Sequence, residues 1–269
     1  MNAGKHPAES LPDAYTPAQI APLVEMAGVR KAALPVLQTL TLGILAGVFI
    51  AFGAMTFTVV VTGEALGFGV TRLLGGVAFS TGLILVVVGG AELFTGNNLI
   101  AMAWADQKIT TAALLRNWSL VYAANFFGAS VSVVLAKLAG VFLLGGGAVG
   151  ETAARIATVK MQVPLQQAFF SGIMCNALVC LAIWLSFAAR SATGKMLAIV
   201  FPISAFVTLG FEHSVANMYF IPAGMMAGAS PDFYAYGTRL LAVTAGNIVG
   251  GSLGVAIVYW IIYLRPART

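Results

Sequence analysis

Six stretches of this chain, roughly 34–61, 71–104, 112–144, 164–189, 196–227 and 238–264, are nearly free of charge and long enough to cross a bilayer. Hydrocarbon about 30 Å thick takes about 20 apolar helical residues to cross. No water reaches backbone N–H and C=O groups there, so spans of this length must be helices. Charge is scarce throughout: 9% of the 269 residues are Asp, Glu, Lys or Arg, against about a quarter in soluble domains. Such a chain cannot clothe its own surface in water, and a lipid bilayer is its expected partner. The net charge of +5 does not suggest nucleic acid, because no basic run or aromatic-interleaved basic patch is present.

Six spans place both ends of the chain on one side. Lys5, Arg30, Lys31, Lys108, Arg116, Arg190, Lys195, Arg265 and Arg268 collect there, and Arg72, Arg155, Lys160 and Arg239 collect on the other side. The positive-inside rule then puts both termini in the cytoplasm, and the inner membrane is the expected location. Thr16 followed by Pro17 is a helix start signal. Ile20, Leu23, Val24 and Ala27 make one apolar stripe after it, as in an amphipathic helix lying on the membrane or at the bundle mouth. The expected divisions are a cytoplasmic tail with this helix (1–31), a six-helix transmembrane channel domain (32–265) and a short cytoplasmic tail (266–269). Cys175 and Cys180 share one span at a spacing that fits neither disulfide nor metal motif, so they are expected to be packing residues. No cofactor or metal site is expected.

Two spans are broken. VVVGGAELFTGNNLIA (86–101) and TLGFEHSVANMYFI (208–221) interrupt the hydrocarbon pattern with glycine, glutamate and asparagine. Laid over each other at an offset of 120, they share Gly90 with Gly210, Glu92 with Glu212 and Asn97 with Asn217. Asn125-x-x-Gly128 is echoed by Asn247-x-x-Gly250, and Gly43-x-x-x-Gly47 and Gly246-x-x-x-Gly250-x-x-x-Gly254 read as close helix packing. Three spans per half force opposite orientations. The fold expected is all-α, an inverted 3+3 repeat with broken second and fifth helices and a pathway between the breaks near the midplane. Glu92 and Glu212 are expected to accept hydrogen bonds from backbone N–H groups freed at the breaks, and the asparagines to tie helices together. His213 is the one histidine inside a span, where ionisable residues are functional by default.

GGAELFTGN (89–97), GIMCNALVCLA (172–182) and GFEHSVANM (210–218) resemble the signature segments of the formate/nitrite transporter family. The resemblance covers 30–265. It implies an aquaporin-like six-helix protomer assembled as a homopentamer, with one pore in each protomer. It further implies a relay of His213, Thr95 and Asn176, an outer constriction at Phe79 and Phe206, and an inner one at Leu83, Leu93 and Phe211. The activity expected is passage of a small weak-acid anion, formate first, with His213 lending a proton while Thr95 and Asn176 hold the anion or the imidazole. Nitrite or hydrosulfide is the alternative within the family. A haem-binding redox subunit is a remote one, since paired axial ligands are normal and the spans offer one histidine. The chain is not expected to be an enzyme.

Overall fold

A computed structural model describes residues 14–63 and 66–265; the last tail, 266–269, and the first thirteen residues lie outside it. Helix α1 (Pro17–Ala32) precedes α2 (Val36–Val60) and α3 (Phe68–Gly89). A 3-10 turn (Gly96–Ile100) and α4 (Ala101–Ala105) complete the broken second span, and α5 (Thr111–Leu138) is the third. The second half runs α6 (Ala148–Gln162), α7 (Leu165–Ala188), α8 (Ala192–Thr208), α9 (Ser214–Met226), α10 (Phe233–Ile248), a π-helical stretch (Val249–Ile257) and α11 (Val258–Tyr263). Among the described residues, five stretches are helical, apolar and long enough to cross a membrane by themselves. The other crossing is divided between α8 and α9, of 17 and 13 residues. The sixth span is one column from Phe233 to Tyr263, widened in its middle by the π stretch.

The repeat extends one element further than the spans suggest. Pro35 is the N-cap residue of α2 and Pro164 that of α7. At the same offset of 129, Gly43 falls on Gly172 and Lys31 on Lys160. Thus α1 is the counterpart of α6, and each repeat is a short helix followed by three spans. The N-terminal helix is therefore part of the repeated unit of the bundle. Its apolar face, Ile20 and Val24, packs on Leu99, Met102, Trp184 and Val255. Lys108 bonds the buried carboxylate of Glu25, and Trp260 Nε1 donates to Asp106 Oδ1 at 2.8 Å, tying α11 to the turn after α4.

Lipid supplies no hydrophobic drive between helices, so close backbone approach must hold them. A Cβ on Gly47 would stand 2.3 Å from Asn125 O, and one on Gly250 2.1 Å from Ile173 O. Gly254, expected to share this packing, faces only the carbonyl of Val249 in its own column.

Candidate functional site

Each broken span is interrupted by a short non-helical stretch, 90–95 after α3 and 209–213 between α8 and α9. Gly90 and Gly210 open the breaks with φ of 84° and 75°, a region glycine enters without steric cost. The freed backbone groups are satisfied by side chains from the last span of the same half. Asn125 Oδ1 accepts from Phe94 N–H at 2.9 Å, while its Nδ2 donates to Gly43 O and Glu92 O. Asn247 repeats this inverted, accepting from Ser214 N–H at 2.9 Å and donating to Gly172 O and Glu212 O.

The glutamates do something other than expected. Glu92 Oε1 accepts from Lys31 Nζ at 2.6 Å and its Oε2 from Asn97 Nδ2 at 2.7 Å. Glu212 accepts from Lys160 Nζ at 3.0 and 2.9 Å and from Asn217 Nδ2 at 2.7 Å. These are ion pairs with lysines of α1 and α6. A carboxylate this buried needs a cation more than a neutral N–H, because desolvating it alone costs several kcal/mol. Lys31 and Lys160, read from sequence only as topology signals, thus line the two cavities as partners of these glutamates.

Two cavities flank the centre and share no lining residue. One, of about 480 Å³, opens on the side of the described chain ends and is lined by Lys31, Gly90, Ala91, Glu92 and Leu93. The opposite one, of about 500 Å³, is lined by Arg72, Phe79, Arg155, Lys160, Phe206, Phe211, Glu212 and His213. Phe211, expected in the constriction with Leu93, lies instead with Phe79 and Phe206. Its repeat partner is Ala91, and the first residues of each break face their own cavity. Phe79 and Phe206 meet edge to face at 5.6 Å, and Phe206 stacks on the His213 ring at 6.0 Å. Leu83, Thr95 and Asn176 line neither cavity and are buried.

His213 has two bonds that fix its tautomer. As the N-cap residue of α9, it accepts the Ala216 N–H on Nδ1 at 3.0 Å. The ring proton is therefore on Nε2, which lies 2.9 Å from Thr95 Oγ1 and donates to it. That leaves the Thr95 hydroxyl hydrogen free to turn towards a bound oxygen. Asn176 is differently placed from the expectation. Its Nδ2 lies within hydrogen-bond reach of Asn98 Oδ1, Asn247 O and Thr95 O at 2.7, 2.7 and 3.2 Å. An amide has two hydrogens and three acceptors here, so none is spare for an anion. Asn176 braces the Thr95 turn, helped by the Cys180 thiol, which donates to Thr95 O at 3.5 Å. Gly251, in the π stretch, makes room for this bracket: a Cβ there would stand 2.4 Å from Asn176 Nδ2.

Asn98, Phe220 and the two lysines were missed from sequence. A signal existed in the repeat. Where the halves coincide, the residues hold the breaks; where they differ, chemistry gathers. His213 falls on Leu93 and Thr95 on Val215 at the offset of 120, and Asn176 on Gly47 at 129.

A bundle of two inverted repeats, with basic cavities leading to re-entrant breaks that meet at the centre, is the architecture of a membrane transport protein. Comparison with known proteins makes the class specific. The formate/nitrite transporter family model matches residues 18–261, and the chain belongs to that family. It is 40% identical to the Escherichia coli K12 formate channel FocA, over 94% of this chain and 96% of the relative. It is 39% identical to a probable formate transporter of Methanothermobacter thermautotrophicus, over 93% and 97%. A solved pentameric formate channel with formate bound superposes with a TM-score of 0.79 at 41% identity, covering 85% of this chain and 98% of that one. An FNT family ion channel superposes at 0.83 and 27% identity, over 90% and 98%. The protein is a multi-pass membrane transport protein and not an enzyme.

Proposed function

We propose that the chain moves small weak-acid anions, formate first, through the inner membrane as a homopentamer with cytoplasmic termini, and that the anion crosses the centre as its neutral acid. The observation that carries this reading is His213 behind the Phe79–Phe206 pair, bonded to a hydroxyl with a hydrogen to give. A bare anion taken into low dielectric costs on the order of 20 kcal/mol by the idealised Born estimate. Protonating a carboxylate of pKa about 4 at neutral pH costs about 3 × 1.36, or about 4 kcal/mol. Neutralisation is the cheaper route.

Lys160, Arg72 and Arg155 outnumber Glu212 around the far cavity and raise the local concentration of anions. At the centre, a doubly protonated His213 passes its Nε2 proton to Thr95 Oγ1 while the Thr95 hydroxyl gives its own hydrogen to the carboxylate. The products are the neutral acid and a neutral ring protonated on Nδ1. Charging the ring puts a hydrogen on Nδ1 and breaks the cap to Ala216, so the imidazolium is a transient state. Exchange with water returns the ring to the capping tautomer. A strong-acid anion such as chloride cannot take the proton and meets the full barrier, to which the Phe79–Phe206 pair contributes.

Flux into proteoliposomes tests the reading, comparing formate, nitrite and chloride at two pH values. Formate uptake is expected to rise as pH falls while chloride stays excluded. Chloride uptake equal to that of formate, indifferent to pH, would overturn the neutral-acid route. Nitrite faster than formate would move the substrate to the other anion of the family.

A further inference from the structure

Phe220 sits on α9, seven residues beyond His213, and is buried. Its ring stacks on Phe79 at 6.3 Å and meets Phe57 edge to face at 5.6 Å. Lys160 Nζ stands 5.5 Å from the centroid of the same ring, within the range where an ammonium is drawn to an aromatic face. The ammonium has three donors, and Glu212 engages it through both oxygens. A continuous line of contacts thus runs from the Glu212–Lys160 pair through Phe220, Phe79 and Phe206 to His213.

The other half of the repeat has no such line. At the offset of 120, Phe220 falls on Ile100 and Phe79 on Ile199. Lys31 is paired with Glu92 and Asn97 but no aromatic ring is recorded beside it among the described residues. Phe220 therefore belongs to the set of positions where the halves part company, along with His213, Thr95 and Asn176. Both lysines are paired with a glutamate, and on the far side the Phe220 ring holds the ammonium as well.

We propose that Phe220 is a positioning residue of the far entrance, whose ring, together with Glu212, holds the Lys160 ammonium beside the aromatic constriction. This rests on the reading that the far cavity admits the anion. The direct test replaces Phe220 with trifluorophenylalanine, which keeps nearly the same shape and cancels the negative charge density of the ring face. In proteoliposomes the formate concentration for half-maximal uptake is expected to rise roughly three- to tenfold, the range that a partly desolvated cation–π contact supports, with the maximal rate near that of the unmodified protein. Packing alone would leave that concentration unchanged, and an unchanged value overturns the proposal. A second measurement needs no transport. The loss of thermal stability on fluorination is compared in the natural background and with Lys160→Met; the loss is expected to shrink when the ammonium is gone. An equal loss in both backgrounds overturns the proposal even if no formate passes, whereas absence of formate flux in the unmodified protein counts against the functional reading alone.

Discussion

Replacing His213 separates its two jobs. The ring caps α9 through Nδ1 and holds Thr95 through Nε2. In His213→Asn the shorter side chain still accepts the Ala216 N–H, since Asn is among the strongest N-cap residues. What it loses is the bond to Thr95, about 1 kcal/mol net for a neutral pair. His213→Phe keeps the stacking on Phe206 at 6.0 Å but forfeits the cap as well. That costs a further 1–2 kcal/mol or so, about 2–3 kcal/mol in all with the Thr95 bond. Thermal unfolding of the purified assemblies is expected to rank them natural protein, Asn, then Phe. Neither variant can hand on a proton at neutral pH, so formate uptake into proteoliposomes should lose its pH dependence in both. The Asn variant is expected to retain a slow, pH-insensitive leak through the small polar gap it leaves. If well-assembled His213→Phe moves formate at the natural rate and with the natural pH dependence, the histidine is structural and the relay is wrong. If the two variants are equally unstable, the cap argument is wrong.

Truncating both Phe79 and Phe206 to Ala removes the edge-to-face pair at 5.6 Å and is expected to admit chloride, measured by the same uptake assay. Each truncation costs up to about 3–5 kcal/mol in a packed core, so the comparison is made on assemblies shown intact by size; continued exclusion of chloride would remove the pair from the barrier. Asn247→Ala leaves Ser214 N–H and the carbonyls of Gly172 and Glu212 without their partner, at about 1–3 kcal/mol for each buried group left unpaired. Asn125→Ala does the same to Phe94, Gly43 and Glu92. Both are expected to lose several kcal/mol in thermal or denaturant unfolding, to a similar degree; a loss as mild as that of a surface substitution would refute the role given to these amides.

Much of the fold is legible in the sequence because hydrocarbon is an unforgiving solvent. Length and hydropathy define the six spans, and the Gly-x-Glu-x-x-x-x-Asn echo at Gly90 and Gly210 marks the two interruptions. What stayed hidden depends on distance along the chain. Glu92 meets Lys31 and Glu212 meets Lys160 across intervals of 61 and 52 residues, and nothing local announces such pairing. Lysines near a membrane surface carry a topology signal strong enough to mask a second use. Phe211 lines the cavity of Phe79 and Phe206 and not that of Leu93, and no local pattern records which cavity the first residues of a break face. Asn176 looked like a donor to substrate because its side-chain type allows it. Three acceptors around one amide can be seen only in three dimensions. The π stretch at 249–257 likewise has no periodicity of its own to betray it.

The supply of Asn125 and Asn247 from the last span of each half has a consequence for how the chain is made. Synthesis delivers α3 and its interrupted continuation before α5 exists. Until α5 arrives, the Phe94 amide and the Gly43 and Glu92 carbonyls lack the partner they have in the finished protein, and bare lipid cannot replace it. The first three spans are therefore expected to leave the translocon together, and the second three to wait in turn for Asn247. Insertion is then expected in two instalments, the second upside down with respect to the first. A chain cut after α4 should be cleared by membrane proteases faster than one cut after α5, although it exposes fewer apolar residues.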